Sequence, residues 1–142
     1  MTSDHDQVIA ATRRFYDAIE QMVSGKGLAA MRDAWHQVDE VTSGHPSGGW
    51  ARGWDEVWAT WEVFAGFGAA DRGGSKISDL HASVFGDAAY TTCIFHASKA
   101  FGGDSILCTN VLARLDGTWK IVHHHPDQSP AMGAALAKLV GG

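Results

Sequence analysis

The chain has 142 residues, a length suited to one domain with enough chain to bury a core and shape a modest pocket. Eleven Lys and Arg against 16 Asp and Glu give a formal charge of −5, which argues against a broad nucleic-acid or anionic-membrane surface. Hydrophobic residues at 45% and charged ones at 19% exclude a disordered chain.

Met1 to Gln7 are polar and acidic, unlike the basic-then-apolar start of a secretory signal. No apolar run reaches the roughly 18–20 residues that cross a bilayer, so no membrane partner and a cytoplasmic location are expected. Val8, Ala11, Phe15, Ile19 and Met22 recur every three or four residues, one face of an amphipathic helix. Asp4 with Gln7 resembles a capping box at its start, and Gly25 and Gly27 would stop it. A short second helix fits Leu28, Met31 and Trp35, and Val38 to Ser43 suit a short strand ending at the turn-prone run from Gly44 to Gly49. A third helix follows Gly53, with Asp55 and Glu56 in its first turn and a stripe of Trp54, Val57, Trp58, Trp61 and Phe64. Residues 66–74 read as a flexible connection.

From Lys76 the period changes to two, which predicts strands over 77–84, 88–98, 105–115 and 118–125. Gly86 with Asp87, Gly102 with Gly103, and Asp116 with Gly117 supply the hairpin chemistry between them. Cys93 and Cys108 fall inside these strands and read as free, small core residues. Ala131 to Val140 fit a last short helix. An antiparallel meander must cover its apolar face, and the three N-terminal helices are the available cover. The expected architecture is α+β, helices packed into a curved antiparallel sheet, with 1–142 as one domain.

This order resembles the nuclear transport factor 2-like superfamily, and the wording is most similar to its SnoaL-like branch. The match is carried by Arg14 to Ile19 running into Gly25-Lys26-Gly27, by His45 to Trp50 followed by Gly53 to Val57, and by Asp116 to His125. The last run is also similar to the final strand of calcium/calmodulin-dependent kinase association domains. The resemblance implies a cone-shaped sheet, an α+β barrel with a pocket at its wide end, and a homodimer.

In the similar ketosteroid isomerases a carboxylate base precedes a proline after the first short strand. The matching residue here is His45 before Pro46, and an imidazole suits proton transfer at neutral pH. As a plain turn residue, His45 would instead bond its own loop. The family's oxyanion phenol would fall at Phe15; Tyr16, about 100° further round the helix, should point elsewhere, but is the nearest phenol and a substrate-binding candidate. The second oxyanion donor would fall near Asn110 or Val111, and Asn110 donates a hydrogen bond without being an acid. These departures argue against steroid-type isomerisation.

On a strand His123 and His125 share one face and His124 takes the other. His123 and His125 are named with His45 as proton-handling candidates, and His124 as a substrate contact; as plain strand-end residues they would pack at a pocket rim or dimer face. Their His-x-His spacing is that of zinc ligands, with His45 or His96 as a third, but no neighbouring carboxylate or cysteine completes a set, so no metal and no cofactor are expected. Trp54 and Trp58 fall on one helix face and Trp50 precedes it; they are core rings or pocket walls, with Trp50 the more ligand-facing. Two functions follow. One is a cofactor-independent isomerase, cyclase or dehydratase using His acid–base chemistry on a small apolar substrate. The other is a non-catalytic dimeric ligand-binding or assembly module.

Overall fold

Ser3, one residue before the expected cap, starts the first helix: its hydroxyl accepts the Asp6 amide at 3.1 Å, and Asp4 and Asp6 place negative charge on the first turn. The computed structural model describes residues 2–45, 48–66 and 74–141, the last three as backbone only. The order is α1 (Asp4–Val23), α2 (Ala29–Ala34), β1 (Thr42–Gly44), β2 (Trp50–Arg52), α3 (Trp54–Ala65), β3 (Lys76–Phe85), β4 (Ala88–His96), β5 (Ser105–Leu115), β6 (Thr118–Pro126) and α4 (Pro130–Gly141). The expected turn residues Pro46 and Ser47, and residues 67–73 of the expected connection, lie outside the described residues. No helix among the described residues is long and apolar enough to cross a membrane.

The sheet runs β2-β1-β6-β5-β4-β3 and stays open. Strands β3 to β6 form the expected antiparallel meander. Two pairings differ from expectation. Trp50–Arg52 is a strand rather than the end of a turn, antiparallel to β1, and β1 joins β6 in parallel, Thr42 facing His123 and Ser43 facing His124. The sheet is therefore mixed. Parallel neighbours need a long crossover, and the chain from α3 through β5 supplies it. Between β4 and β5 a 3-10 turn, Lys99–Phe101, precedes Gly102 and Gly103. Gly102 has φ +98°, and a Cβ there would stand 2.7 Å from the Ala131 carbonyl carbon, so glycine lets this turn seat against α4.

Two bulges curl the sheet. In β3 the register shifts between Ser78 and His81, with Asp79 at φ 56°. In β6 the extra residue is Val122: Val111 faces His123, whereas Leu112 faces Ile121. An extra residue bends its strand and raises the local twist. It also reverses the alternation. Trp119 and Ile121 point into the core, but beyond Val122 it is His124 and Pro126 that are buried.

The concave face holds α1. Phe15 sits at its centre, fully buried, with edge-on contacts to Tyr16, Trp35, Trp61 and His124 at centroid distances of 5.0, 5.9, 5.8 and 4.8 Å. Such ring pairs contribute about 0.5–1.5 kcal/mol each beyond the area they bury. The helix-facing aromatics thus join α1, α2, α3 and β6 in one core.

Candidate functional site

A cavity of about 70 Å³ opens at the end of the sheet where β1, β4 and β6 finish. Its wall takes Tyr16 and Met22 from α1, His45 beyond β1, Trp61 and Phe64 from α3, Phe95 from β4, Cys108 from β5, His124 from β6 and Met132 from α4. Among the described residues that line it there is no Asp, Glu, Lys or Arg.

A buried polar chain reaches this wall from within the core. Thr12 Oγ1 donates to the Val8 carbonyl at 2.9 Å and lies 3.2 Å from Thr91 Oγ1. The Asn110 amide donates to Thr91 Oγ1 at 3.3 Å and to the Tyr16 phenol oxygen at 3.1 Å. His124 Nδ1–H donates to Asn110 Oδ1 at 2.7 Å. Thr12, Thr91 and Asn110 are completely buried and His124 nearly so. The Asn110 acceptor fixes the His124 tautomer with its proton on Nδ1, so Nε2 carries a lone pair.

Burial sets the charge state of these groups. Desolvation, reinforced by His45, His123 and His125, pushes the His124 imidazole down to about 3. Burial alone lowers His45, and it raises the Tyr16 phenol well above its ordinary range. At neutral pH the cavity holds two neutral imidazoles and a neutral phenol. His45 Nε2 is buried and has no hydrogen-bond partner among the described residues.

The structure brings together His45, His124 and Tyr16 as cavity-lining residues, with Asn110 directly behind them. Tyr16 does not point elsewhere: with Phe15 it shares the inner side of α1, and its phenol reaches Asn110. His123 and His125, expected beside His45, stand on the outer face because of the bulge at Val122. There they pack at a tilt against Trp50, with centroids 5.7 and 5.1 Å away, and the His123 ring nitrogen bonds Thr42 Oγ1. Trp50 is 48% exposed on that same face, over Gly44. Trp54 and Trp58 stack on each other at 5.4 Å, with Arg32 over Trp58, and do not line the cavity. Among the described residues no group of three or more His, Cys, Asp or Glu is placed to hold a metal ion; His96 is engaged by Ser78 and Ser105.

Trp61 and Phe64 are the aromatics of the α3 stripe that reach the cavity, a stripe that reads as core rings or pocket wall without singling them out. Ser98 and Phe101, on the turn after β4, also line it. Nothing in the local sequence around Ser98 signals a pocket; the fold alone carries it there.

A family model described as a SnoaL-like domain matches residues 8–131. No curated protein matches the sequence. Solved structures do. A Streptomyces avermitilis protein of the NTF2-like family, provisionally named a dehydratase, aligns with TM-score 0.70 and 25% identity over 90% of this chain and 97% of its own. A Thiobacillus denitrificans protein, provisionally named a calcium/calmodulin-dependent protein kinase type II association domain, aligns with TM-score 0.67 and 27% identity over 85% and 94%. A Shewanella frigidimarina protein, provisionally named a ketosteroid isomerase, aligns with TM-score 0.63 and 23% identity over 83% and 92%, a likeness of fold.

Proposed function

The chain belongs to the SnoaL-like domain family, and from that premise we propose that its cavity performs cofactor-independent acid–base chemistry on a small molecule. The observation that carries this reading is the presence of His45 and His124 in one apolar cavity, where His45 Nε2 is buried and has no partner among the described residues. His124 is too weakly basic to take protons at neutral pH, so His45 is the base. His124 Nε2, aimed by Asn110, accepts a hydrogen bond from the substrate and orients it. The reaction class is proton abstraction next to a carbonyl, the first step of an isomerisation or of a dehydration. The similar Streptomyces protein's provisional name is in keeping with that class.

Deuterium uptake tests it without knowledge of the natural substrate. Small ketones incubated with the protein in D₂O should exchange protons next to the carbonyl, and His45→Ala should slow that exchange by about 10²-fold or more. Since burial lowers His45, the exchange rate should hold its plateau below pH 6.5 and fall only in more acidic solution. Protein-independent exchange, or an unaffected His45→Ala variant, would remove the assignment.

The outer face of the sheet favours a second reading, assembly with another copy of the chain. Leu107, 62% exposed, shares this face with Tyr90, Phe85, His123 and His125 by strand register. Large exposed apolar and aromatic side chains gathered on one sheet face are of the kind found at interaction sites. Sedimentation should show a dimer that Leu107→Asp weakens at least tenfold, roughly the effect of desolvating a charge. A wild-type monomer at all concentrations would exclude the second copy.

A further inference from the structure

The cavity wall contains polar atoms that the described residues leave unsatisfied. His45 Nε2, Trp61 Nε1 and Ser98 Oγ are buried without a hydrogen-bond partner among the described residues, and all three residues line the cavity. Nearly all buried polar atoms in folded proteins are paired, so three exceptions around one space point to a ligand that pairs them. Trp61 is only 4% exposed, and its indole N–H is a donor with no accepting ability, so what it meets must be an acceptor.

Their placement divides the site into two ends. Trp61 stands beside His124, ring centroids 6.2 Å apart, and His45 follows β1, the neighbour of β6. Ser98 follows β4, three strands from β1 in the sheet. Between the ends the wall is apolar: Ile19, Phe64, Phe95, Ile106 and Met132. No charged side chain among the described residues meets the ligand, so neither an anion nor a cation would find a counter-charge. At about 70 Å³, against roughly 150 Å³ for a cavity that encloses benzene, the enclosed part of the site has room for no more than a single ring and far less than a fused four-ring skeleton.

We propose that the cavity takes a neutral compound of single-ring size with an oxygen function at each end, an acceptor oxygen against the Trp61 N–H, with a hydrogen next to that oxygen turned toward the His45 lone pair, and a second oxygen against Ser98. A hydroxylated aryl ketone or cyclic ketone has this form. The inference rests on the same cavity being the ligand site, but it concerns binding and stands apart from turnover.

Calorimetric titration of the full chain with four probes tests it. These are 4-hydroxyacetophenone, ethylbenzene, 4-hydroxybenzoate, and androst-4-ene-3,17-dione, which has two terminal oxygens on four fused rings. The first should bind about tenfold or more tighter than each of the others. Trp61→Phe and Ser98→Ala should each weaken it by about three- to tenfold, the range of one neutral hydrogen bond, and leave ethylbenzene unchanged. Ser98→Ala keeps the backbone turn and guards against a packing defect in Trp61→Phe. Equal binding of the hydrocarbon, tighter binding of the carboxylate or the steroid, no probe binding, or no effect of either variant would overturn the proposal. If the binding pattern holds but ketones show no deuterium uptake, the acid–base reading fails and this one stands. If uptake is seen with the wrong binding pattern, the outcome is reversed.

Discussion

Replacing Asn110 by leucine is expected to lower folding stability by about 3 kcal/mol, well beyond what a change of similar volume costs in an apolar core. Asn110 is fully buried and joins three elements: its amide donates to Tyr16 on α1 and Thr91 on β4, and its carbonyl accepts from His124 on β6. Leucine fills the space but pairs with none of them. The Tyr16 and Thr91 hydroxyls can rotate, and Thr91 keeps Thr12 at 3.2 Å. The His124 Nδ1–H cannot rotate away, and an orphaned buried donor costs roughly 1–3 kcal/mol by itself. Urea denaturation of Asn110→Leu, His124→Leu and the double variant separates the network from simple packing. The double variant should cost at least about 1 kcal/mol less than the sum of the singles, because the two groups orphan each other. A single-variant loss below about 1 kcal/mol, or strict additivity, would show that the network does not hold these elements together.

The same network shows where sequence reasoning reached and where it stopped. The four long strands were legible because period-two runs lie between glycine-containing turns, and β3 to β6 end within two residues of the expected limits. The α1 stripe was legible for the same reason at helical period, and all its expected members but Ile19 are buried. What failed was alternation carried across an irregularity. Trp119 and Ile121 point inward, and simple period two would carry His123 and His125 inward after them. One inserted residue, Val122, turns the phase, so that His124 faces the cavity and its neighbours face out. Nothing in the composition of Ile121-Val122-His123 announces a bulge; it shows only in the register with β5. Tyr16 failed for another reason. A helix lying in a concave sheet is surrounded on more than one side, so residues 100° apart can both be buried. The strand Trp50–Arg52 was hidden by its shortness and its glycine-rich approach.

These two errors concern the site more than the fold. With the phase corrected, the histidines separate by chemistry. His123 and His125 pack against an exposed tryptophan on the outer face, whereas His45 and His124 are held neutral in an apolar space. Among the described residues the cavity lining is uncharged, which suits an uncharged ligand, and burial keeps His45 in the neutral form that a base needs.

Holding His124 neutral also makes the whole fold sensitive to acid. In the unfolded chain an imidazole takes up its proton near pH 6.5, whereas burial delays this in the folded state to about 3. Between those limits the unfolded chain binds one proton more than the folded one, so falling pH favours unfolding. The contribution is fully present above pH 6.5 and is lost progressively toward pH 3. The slope approaches 1.4 kcal/mol per pH unit, so the protein should lose roughly 2–3 kcal/mol between pH 7 and pH 4.5 from this residue. His45 and His123 are also lowered and act in the same direction. His124→Asn isolates the term, since an asparagine amide there can still donate to Asn110 Oδ1 but cannot titrate. The variant should be less stable than the parent at pH 7, through lost packing against Phe15 and Trp61, yet the gap should close by about 2 kcal/mol at pH 4.5. Parallel stability curves across this range would mean that His124 is either already protonated in the folded protein or reached by water. Ring nitrogen chemical shifts that keep the neutral Nδ1–H form down to pH 4.5 would identify the first of these as wrong and confirm that Asn110 sets the tautomer.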